Sequence, residues 1–316
     1  MVSHVEIEQA AHTLRNVAHR TPLYHSSMFD RMTGNRVWFK AENVQRIGAF
    51  KFRGAYNLIA SLSEEERRRG VIAHSSGNHA QGVALASKLL GVRAVVVMPE
   101  GSVASKVDAA REYGAEIVFC GENYDDRARV TSDLQAKHGY VLVHPFEDPR
   151  IIAGQGTVGL EVLQDLPELD YLIVPIGGGG LIAGCSIAAK HLSPSVKVIG
   201  VETEKANDAY QSFRAGRIVR IARADTIADG MRTLAVGTLN FEIMQKFVDD
   251  VVVVRDEDAI AMMRFFLERM KTVVEPTGAV AAAAISANRL GVSGKKICAV
   301  ISGGNVDIHL LRTLLS

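Results

Sequence analysis

The chain has 316 residues, 47% of them hydrophobic and 22% charged, with a net charge of +1, which gives it volume for one large or two medium domains and an ordinary globular composition. It carries no charge excess for nucleic acid or an anionic membrane, no apolar run of membrane-spanning length, and a first ten residues too charged for a signal peptide. Cys120, Cys185 and Cys298 lie far apart, an odd count without metal spacing, so buried thiols in a cytoplasmic protein are expected rather than a disulfide framework.

Residues 6–18 have helical spacing, with Val5, Ile7, Ala10, Ala11 and Leu14 apolar. Thr21-Pro22-Leu23 starts an extended segment, because proline disfavours helix in the residue before it. Residues 36–40 read as a strand and 51–62 as a helix. Ser63-Glu64-Glu65-Glu66 has the form of a capping box, and Gly70 of a stop. The Glu and Arg residues of 64–69 pair at helical spacing and mark a solvated face.

From Val71 the pattern alternates. Strands are expected at 71–73, 94–98, 116–119, 140–143, 171–174, 197–201, 251–254 and 296–301. Helices are expected at 79–90, 103–113, 124–138, 151–166, 181–191, 257–270, 277–287 and 307–315. Residues 204–237 are less regular and are expected to wrap the surface. The alternation predicts an α/β fold with mostly parallel sheets covered by helices on both faces.

In such folds ligands gather at the carboxyl ends of strands. Four glycine- or serine-rich loops stand there or nearby, at 48–54, 75–79, 177–180 and 302–305. Lys51 sits in Gly48-Ala49-Phe50-Lys51-Phe52-Arg53-Gly54, where a helical pattern begins. It is either a lysine that carries a cofactor as a Schiff base or an ordinary helix-start lysine. Gly177-Gly178-Gly179-Gly180 followed by Leu181 joins a strand to a helix, and can turn backbone N–H groups onto a phosphate. It does not match G-x-G-x-x-G and lacks the Lys-Ser/Thr of a nucleoside-triphosphate loop. A dinucleotide reading retains Glu202 as a candidate ribose ligand. Ser75-Ser76-Gly77-Asn78-His79 offers hydroxyls, an amide and free N–H groups, a cradle for a carboxylate or a helix-cap cluster. Ser302 can donate a hydrogen bond to a heterocyclic nitrogen without protonating it.

Taken together and in this order, the four motifs resemble those of the fold-type II pyridoxal phosphate enzymes, and within them the serine/threonine dehydratase and serine racemase family. The resemblance runs from about Thr21 to Asp307. It implies a tryptophan synthase β-like architecture, with a large cofactor domain formed by residues 1–60 and 145–316 and a small domain at 61–144. It implies that Lys51 binds pyridoxal 5'-phosphate and takes the substrate's Cα proton, with Phe50 packed beside it. Asn78 would bond the ring hydroxyl, Gly177, Gly178, Gly179, Gly180 and Leu181 would hold the phosphate, and Ser302 would face the ring nitrogen. Ser75, Ser76, Asn78 and His79 would hold the substrate carboxylate. A neutral serine at the ring nitrogen makes a weaker electron sink than an aspartate would, which suits elimination better than transamination.

Further features bear on which member of the family is present. Ser76 stands where related threonine dehydratases usually have alanine and serine racemases have serine, so it is a candidate second acid/base or a plain cap. Glu202, Ala206 and Asp208 resemble the family's divalent cation site, with two carboxylates and a backbone carbonyl for Mg²⁺, or Ca²⁺ or Mn²⁺. A charged surface turn is the other reading. Arg127 and Thr233 align with substrate-facing positions, and Arg127 suits a second carboxylate, as in hydroxyaspartate. The expectation is a dehydratase that eliminates water from L-serine or L-threonine to give a 2-oxo acid and ammonia. Serine racemase with dehydratase side activity and 3-hydroxyaspartate dehydratase are the alternatives. The expected partners are the small hydroxy amino acid and, by resemblance, a second copy of the chain.

Overall fold

The strands of the sequence pattern assemble into two sheets in the computed structural model, which describes residues 2–102, 104–121 and 124–315. The strands are β1 (Leu23–His25), β2 (Arg36–Ala41), β3 (Val71–His74), β4 (Ala94–Pro99) and β5 (Glu116–Cys120), followed by β6 (Val141–Leu142), β7 (Tyr171–Pro175), β8 (Lys197–Thr203), β9 (Asp250–Val254) and β10 (Lys296–Ile301). The larger sheet has the order β1-β2-β10-β7-β8-β9 and the smaller β5-β4-β3-β6. Every pairing is parallel except that of the short edge strand β1 with β2. The α/β architecture read from the alternation is therefore the one observed, and parallel pairing follows because each strand returns through a helix that covers a face.

Both faces of the larger sheet are apolar. One packs against helix Pro276–Ser286, which is alanine-rich and buried over almost all its length, as a helix with no polar face must be. On the other face, helices Pro149–Asp165 and Gly180–Leu192 pack close together, a Cβ on Gly156 meeting the Gly184 carbonyl at 2.9 Å. A separate apolar cluster lies against the smaller sheet. It takes in Phe52, Ala55, Leu58 and Ile59 of helix Lys51–Ala60 together with Val71, Ala73, Val83, Val96 and Ile151.

Three helices escape the sequence pattern, Ser27–Thr33, Asp208–Ala215 and Thr238–Phe247. The first carries both boundary signals, the Ser26 hydroxyl accepting from the Phe29 N–H and Gly34 ending it at φ 68°, but seven residues are too few to show a period. The helix expected at 257–270 is α-helical over Asp256–Phe265 and widens to a π-turn over Phe266–Met270. Ser63 and Glu66 form the expected reciprocal capping box. Val103, expected to begin a helix, lies outside the described residues, and that helix runs from Ala104 to Glu112.

Candidate active site

The carboxyl ends of β2, β3, β7 and β10 lead into the four loops. The loop before Lys51 turns through two left-handed residues in succession, Ile47 at φ 60° and Gly48 at φ 69°. A β-branched residue there is strained, and such strain persists only where the surroundings over-determine it. The surroundings are the loop after β10. Gly304 N–H donates to the Gly48 carbonyl at 2.9 Å, and Phe50 N–H donates to the Ser302 carbonyl at 3.1 Å. The Asn305 amide donates to the Ile47 carbonyl at 2.6 Å. A side chain at Gly48 would strike Asn305 Oδ1. These bonds set Lys51, at the start of helix Lys51–Ala60, beside the loop that carries Ser302.

Lys51 Nζ donates to the Pro145 carbonyl at 2.6 Å and lies 5.2 Å from the Phe50 ring centre. Among the described residues no carboxylate offsets its desolvation, which pulls its pKa down to about 8. Their own burial first, and then the charge of Lys51, lower the proton affinity of nearby histidines. His79 is driven well below the usual histidine range by burial first and then by Lys51. His144 falls to about 4 through burial, His74 and Lys51. His144 Nδ1 accepts the N–H groups of Phe146 and Glu147 at 3.3 and 2.8 Å, which fixes the loop bearing Pro145.

The tetraglycine loop is packed where side chains cannot follow. A Cβ on Gly177 would lie 2.4 Å from the Gly230 carbonyl, and one on Gly178 2.2 Å from the Phe146 ring. Gly179, at φ 92°, caps helix Gly180–Leu192. The Asn240 amide secures the turn, donating to the carbonyls of Gly178 at 2.7 Å and Phe146 at 3.1 Å. The first N–H groups of the helix remain for an anion.

On the facing loop, Ser75 Oγ accepts the Gly77 N–H at 3.2 Å, and helix Asn78–Leu90 begins. Asn78 donates to Glu275 Oε1 and accepts from Asn305, both at 2.8 Å. One amide N–H of Asn78 is left to reach a ring hydroxyl. The His79 ring turns inward, its Nε2 bonded to the Val143 carbonyl at 2.8 Å. What this residue presents to a carboxylate is therefore its backbone N–H in the first helical turn. Arg127, on helix Tyr124–His138, stands near enough to His74, at the end of β3, to add to the effect of burial in depressing it.

Glu275 is buried against Gly303, and burial and the charge of Asp229 raise it to about 8. Ser302 Oγ is buried with no hydrogen-bond partner among the described residues. These features fit pyridoxal phosphate: a lysine bonded to a neutral carbonyl for the aldehyde, a side-chain-free cradle at a helix N-terminus for the phosphate, and an orphaned hydroxyl for the ring nitrogen.

Glu202 and Asp208, which flank Ala206, are buried together. Glu202 accepts the N–H groups of Ala209 and Tyr210 at 3.2 and 2.6 Å. Neither Asp208 oxygen has a geometrically satisfied partner among the described residues. Burial pushes Asp208 up to about 7 although the Thr233 hydroxyl and Val236 N–H are near. Thr233 is thus beside the acidic pair. Two buried carboxylates, one of them with both oxygens unsatisfied, fit a hard cation. Among the described residues no three metal-ligating side chains cluster, so carbonyls and waters would complete the shell.

Sequence reasoning did not assign Pro145, Phe146 or Asn240, and drew no role for Glu275. Pro145 and Phe146 follow β6, and their place at a strand's carboxyl end is the one signal that marks them. Asn240 lies on an unpredicted helix and gives none.

The family model described as "Pyridoxal-phosphate dependent enzyme" matches residues 14–303. The chain is 47% identical over its full length to an L-threonine ammonia-lyase of Thermotoga maritima, covering 79% of that protein. It is 45% identical to an L-threo-3-hydroxyaspartate ammonia-lyase of Saccharomyces cerevisiae, over 98% of this chain and 95% of that one. The solved structure of maize serine racemase superposes with a TM-score of 0.96 at 41% identity, over 99% of this chain and 96% of that one.

Proposed function

As this chain belongs to the pyridoxal-phosphate dependent enzyme family, we propose that it is an ammonia-lyase that eliminates water from L-threonine or L-serine, giving a 2-oxo acid and ammonia. The observation that carries the reading is a half-buried lysine, hydrogen-bonded to a neutral carbonyl and brought by backbone bonds beside an orphaned serine hydroxyl. The relatives named ammonia-lyases supply the reaction class.

Pyridoxal phosphate, when bound, supplies the electron sink that makes the Cα proton of an attached amino acid acidic. Lys51 would hold its aldehyde carbon. With a pKa near 8, a useful fraction of Lys51 is unprotonated near neutral pH, as a nucleophile and then a base at Cα must be. The N–H groups of Gly178, Gly179, Gly180 and Leu181 would hold the phosphate, with Gly177 leaving room for Gly230. Phe50 would flank the ring. Ser302 Oγ would meet its nitrogen with a neutral donor, and the spare N–H of Asn78 its hydroxyl. Ser75, Ser76 and the first-turn N–H groups of Asn78 and His79 would fix the substrate carboxylate. That orients Cα toward Lys51 Nζ, which takes its proton.

Two narrower readings rest on single residues. The nearness of Arg127 to His74 favours a substrate with a second carboxylate, such as 3-hydroxyaspartate. Ser76 supplies a hydroxyl for reprotonation on the face opposite Lys51, which racemisation of serine needs. Glu202, Asp208 and the Ala206 carbonyl would hold Mg²⁺, Ca²⁺ or Mn²⁺. The buried free cysteines fit the cytoplasm. Assembly as a homodimer rests on the family resemblance alone.

The test is release of 2-oxo acid and ammonia from L-serine, L-threonine and both 3-hydroxyaspartate diastereomers, with D-serine followed by chiral separation and Lys51→Ala as control. Release from threonine or serine that vanishes in the control is expected. A strong preference for hydroxyaspartate moves the assignment to that substrate, and D-serine formed faster than pyruvate moves it to racemisation. No turnover and no lysine-dependent visible absorbance overturns the reading.

A further inference from the structure

Among the described residues the largest fully buried side chain is Arg53, two residues after Lys51, and Lys40 is fully enclosed as well. Neither belongs to the site described above. Arg53 donates bidentately to Glu42, from Nε and Nη2, at 2.8 Å each. It donates to Glu161 at 2.7 and 3.0 Å, to the Thr157 hydroxyl at 3.2 Å and to the His19 carbonyl at 3.2 Å. Lys40 donates to Glu161 at 2.5 Å and to the Thr21 carbonyl at 2.8 Å. Thr21 Oγ1 closes the set, donating to Glu42 at 2.5 Å. The four charges cancel, and every N–H of the guanidinium has an acceptor.

Such a cluster is a poor source of stability, because desolvation offsets most of the attraction and apolar side chains of similar size serve as well. What a planar fork gives that an apolar side chain cannot is a single orientation. Here the fork joins three elements. Arg53 is on helix Lys51–Ala60, Glu161 and Thr157 are on helix Pro149–Asp165, and Glu42 follows directly on β2. The first two elements carry the two ends of one contact. Lys51 is the first residue of its helix, and Pro145, whose carbonyl accepts from Lys51 Nζ, lies four residues before the other. The helices cross at bare backbone, a Cβ on Gly154 falling 2.6 Å from the Gly54 Cα. At the crossing apolar packing does little to resist sliding, and polar bonds hold the register: the Gln155 side chain accepts from the Gly54 N–H at 3.2 Å, Asn57 donates to the Arg150 carbonyl at 2.7 Å, and Arg53 adds a charged fork between the two helices.

We infer that Arg53 is a positioning residue for the reaction: through Glu42, Glu161 and Thr157 it fixes the register of helix Lys51–Ala60 on helix Pro149–Asp165 and so the place of Lys51 Nζ. Two residues along a helix is a rotation of roughly 200°, so Arg53 holds Lys51 from behind and does not enter the pocket. It acts by geometry rather than by charge, since burial alone accounts for the lowered proton affinity of Lys51. The inference rests on the reading of Lys51 as the cofactor-binding base.

The test compares the pyridoxal phosphate-loaded enzyme with Arg53→Lys, Arg53→Met and the fourfold variant Lys40→Met/Glu42→Met/Arg53→Met/Glu161→Met. The readouts are kcat and KM per bound cofactor, the visible circular dichroism of the cofactor band, and the urea unfolding midpoint. Arg53→Met is expected to lose about a hundredfold in kcat, as an ångström of misplacement does, with KM changed less than about threefold and the visible dichroism altered. Arg53→Lys is expected to recover part of kcat. The fourfold variant is expected to unfold near the wild-type midpoint and still be slow. If Arg53→Met does not fold, the fourfold variant decides. A kcat within about twofold of wild type in a folded variant lacking the fork, with unchanged dichroism, overturns the inference. Absence of a Lys51-dependent visible band in the wild-type enzyme instead overturns the reading beneath it.

Discussion

Asn78 and Glu275 stand 197 positions apart in the chain and share a hydrogen bond of 2.8 Å, the amide of Asn78 donating to Oε1. The bond joins the loop after β3 to the start of helix Pro276–Ser286, and it holds a buried carboxyl whose pKa is raised to about 8 by burial and by Asp229. A carboxyl in the unfolded chain titrates near ~4.3. Between the two values the folded protein keeps a proton that the unfolded chain has released. The contribution to stability is full below the unfolded value and is lost as pH rises through about 8. Cofactor-free wild-type protein should therefore lose stability relative to Glu275→Gln between about pH 5 and about pH 8, at no more than about 1.4 kcal/mol per pH unit. Thermal unfolding across that range checks it, and parallel curves for the two proteins would show that Glu275 is ionised throughout.

Gly178→Ala places a methyl group against the Phe146 ring, its carbon 2.2 Å from the ring if nothing shifts. The ring or the loop has to move, at a cost of about 1–3 kcal/mol. If the loop is the phosphate cradle, most of that should appear as weaker cofactor binding, tenfold or more by order of magnitude. Fluorescence titration of the stripped enzyme with pyridoxal phosphate measures it. Unaltered affinity would place the phosphate elsewhere.

Mg²⁺ at a hundred times its dissociation constant should stabilise the wild type by about 2.7 kcal/mol, read as a rise in Tm that a chelator reverses. Asp208→Asn should abolish the rise, since it removes one of the two buried carboxylates. A rise that persists in the variant would move the cation to another site.

Arg127→Met and Ser76→Ala should separate the substrate readings. If a second carboxylate meets Arg127, the methionine variant loses about 2–5 kcal/mol of binding to hydroxyaspartate and little to threonine. Ser76→Ala should stop D-serine formation while leaving elimination. Steady-state kinetics on each substrate checks the first, and chiral product analysis the second. Equal losses on hydroxyaspartate and threonine would take Arg127 out of the substrate contact.

The candidate site was legible in the sequence as four separated loops, because glycine and serine mark the turns that follow the strands. The tetraglycine turn is the clearest example: four N–H groups at a helix start need no distant partner to be recognised. Phe146 and Asn240 were not legible, since a phenylalanine or asparagine in an ordinary segment gains its role only from what it folds against. His79 shows the converse. It was expected at the substrate carboxylate with nothing to say which of its groups would serve, and only the fold shows that the ring is bonded inward to Val143, leaving the backbone N–H.

The sequence by itself determined the α/β alternation, the strand-to-loop positions of Lys51, Ser75, Gly177 and Ser302, and the capping of the solvated helix Glu64–Arg69. These are local, set by periodicity, backbone freedom and side chains within a few residues. Tertiary structure alone decided that Lys51 meets the Pro145 carbonyl, that Glu275 is buried beside Asn78, and that Arg53 is enclosed by Glu42 and Glu161. Such contacts join residues about ten to two hundred positions apart. Their effects on proton affinity come from burial and neighbouring charge, which exist only once the chain has closed around them.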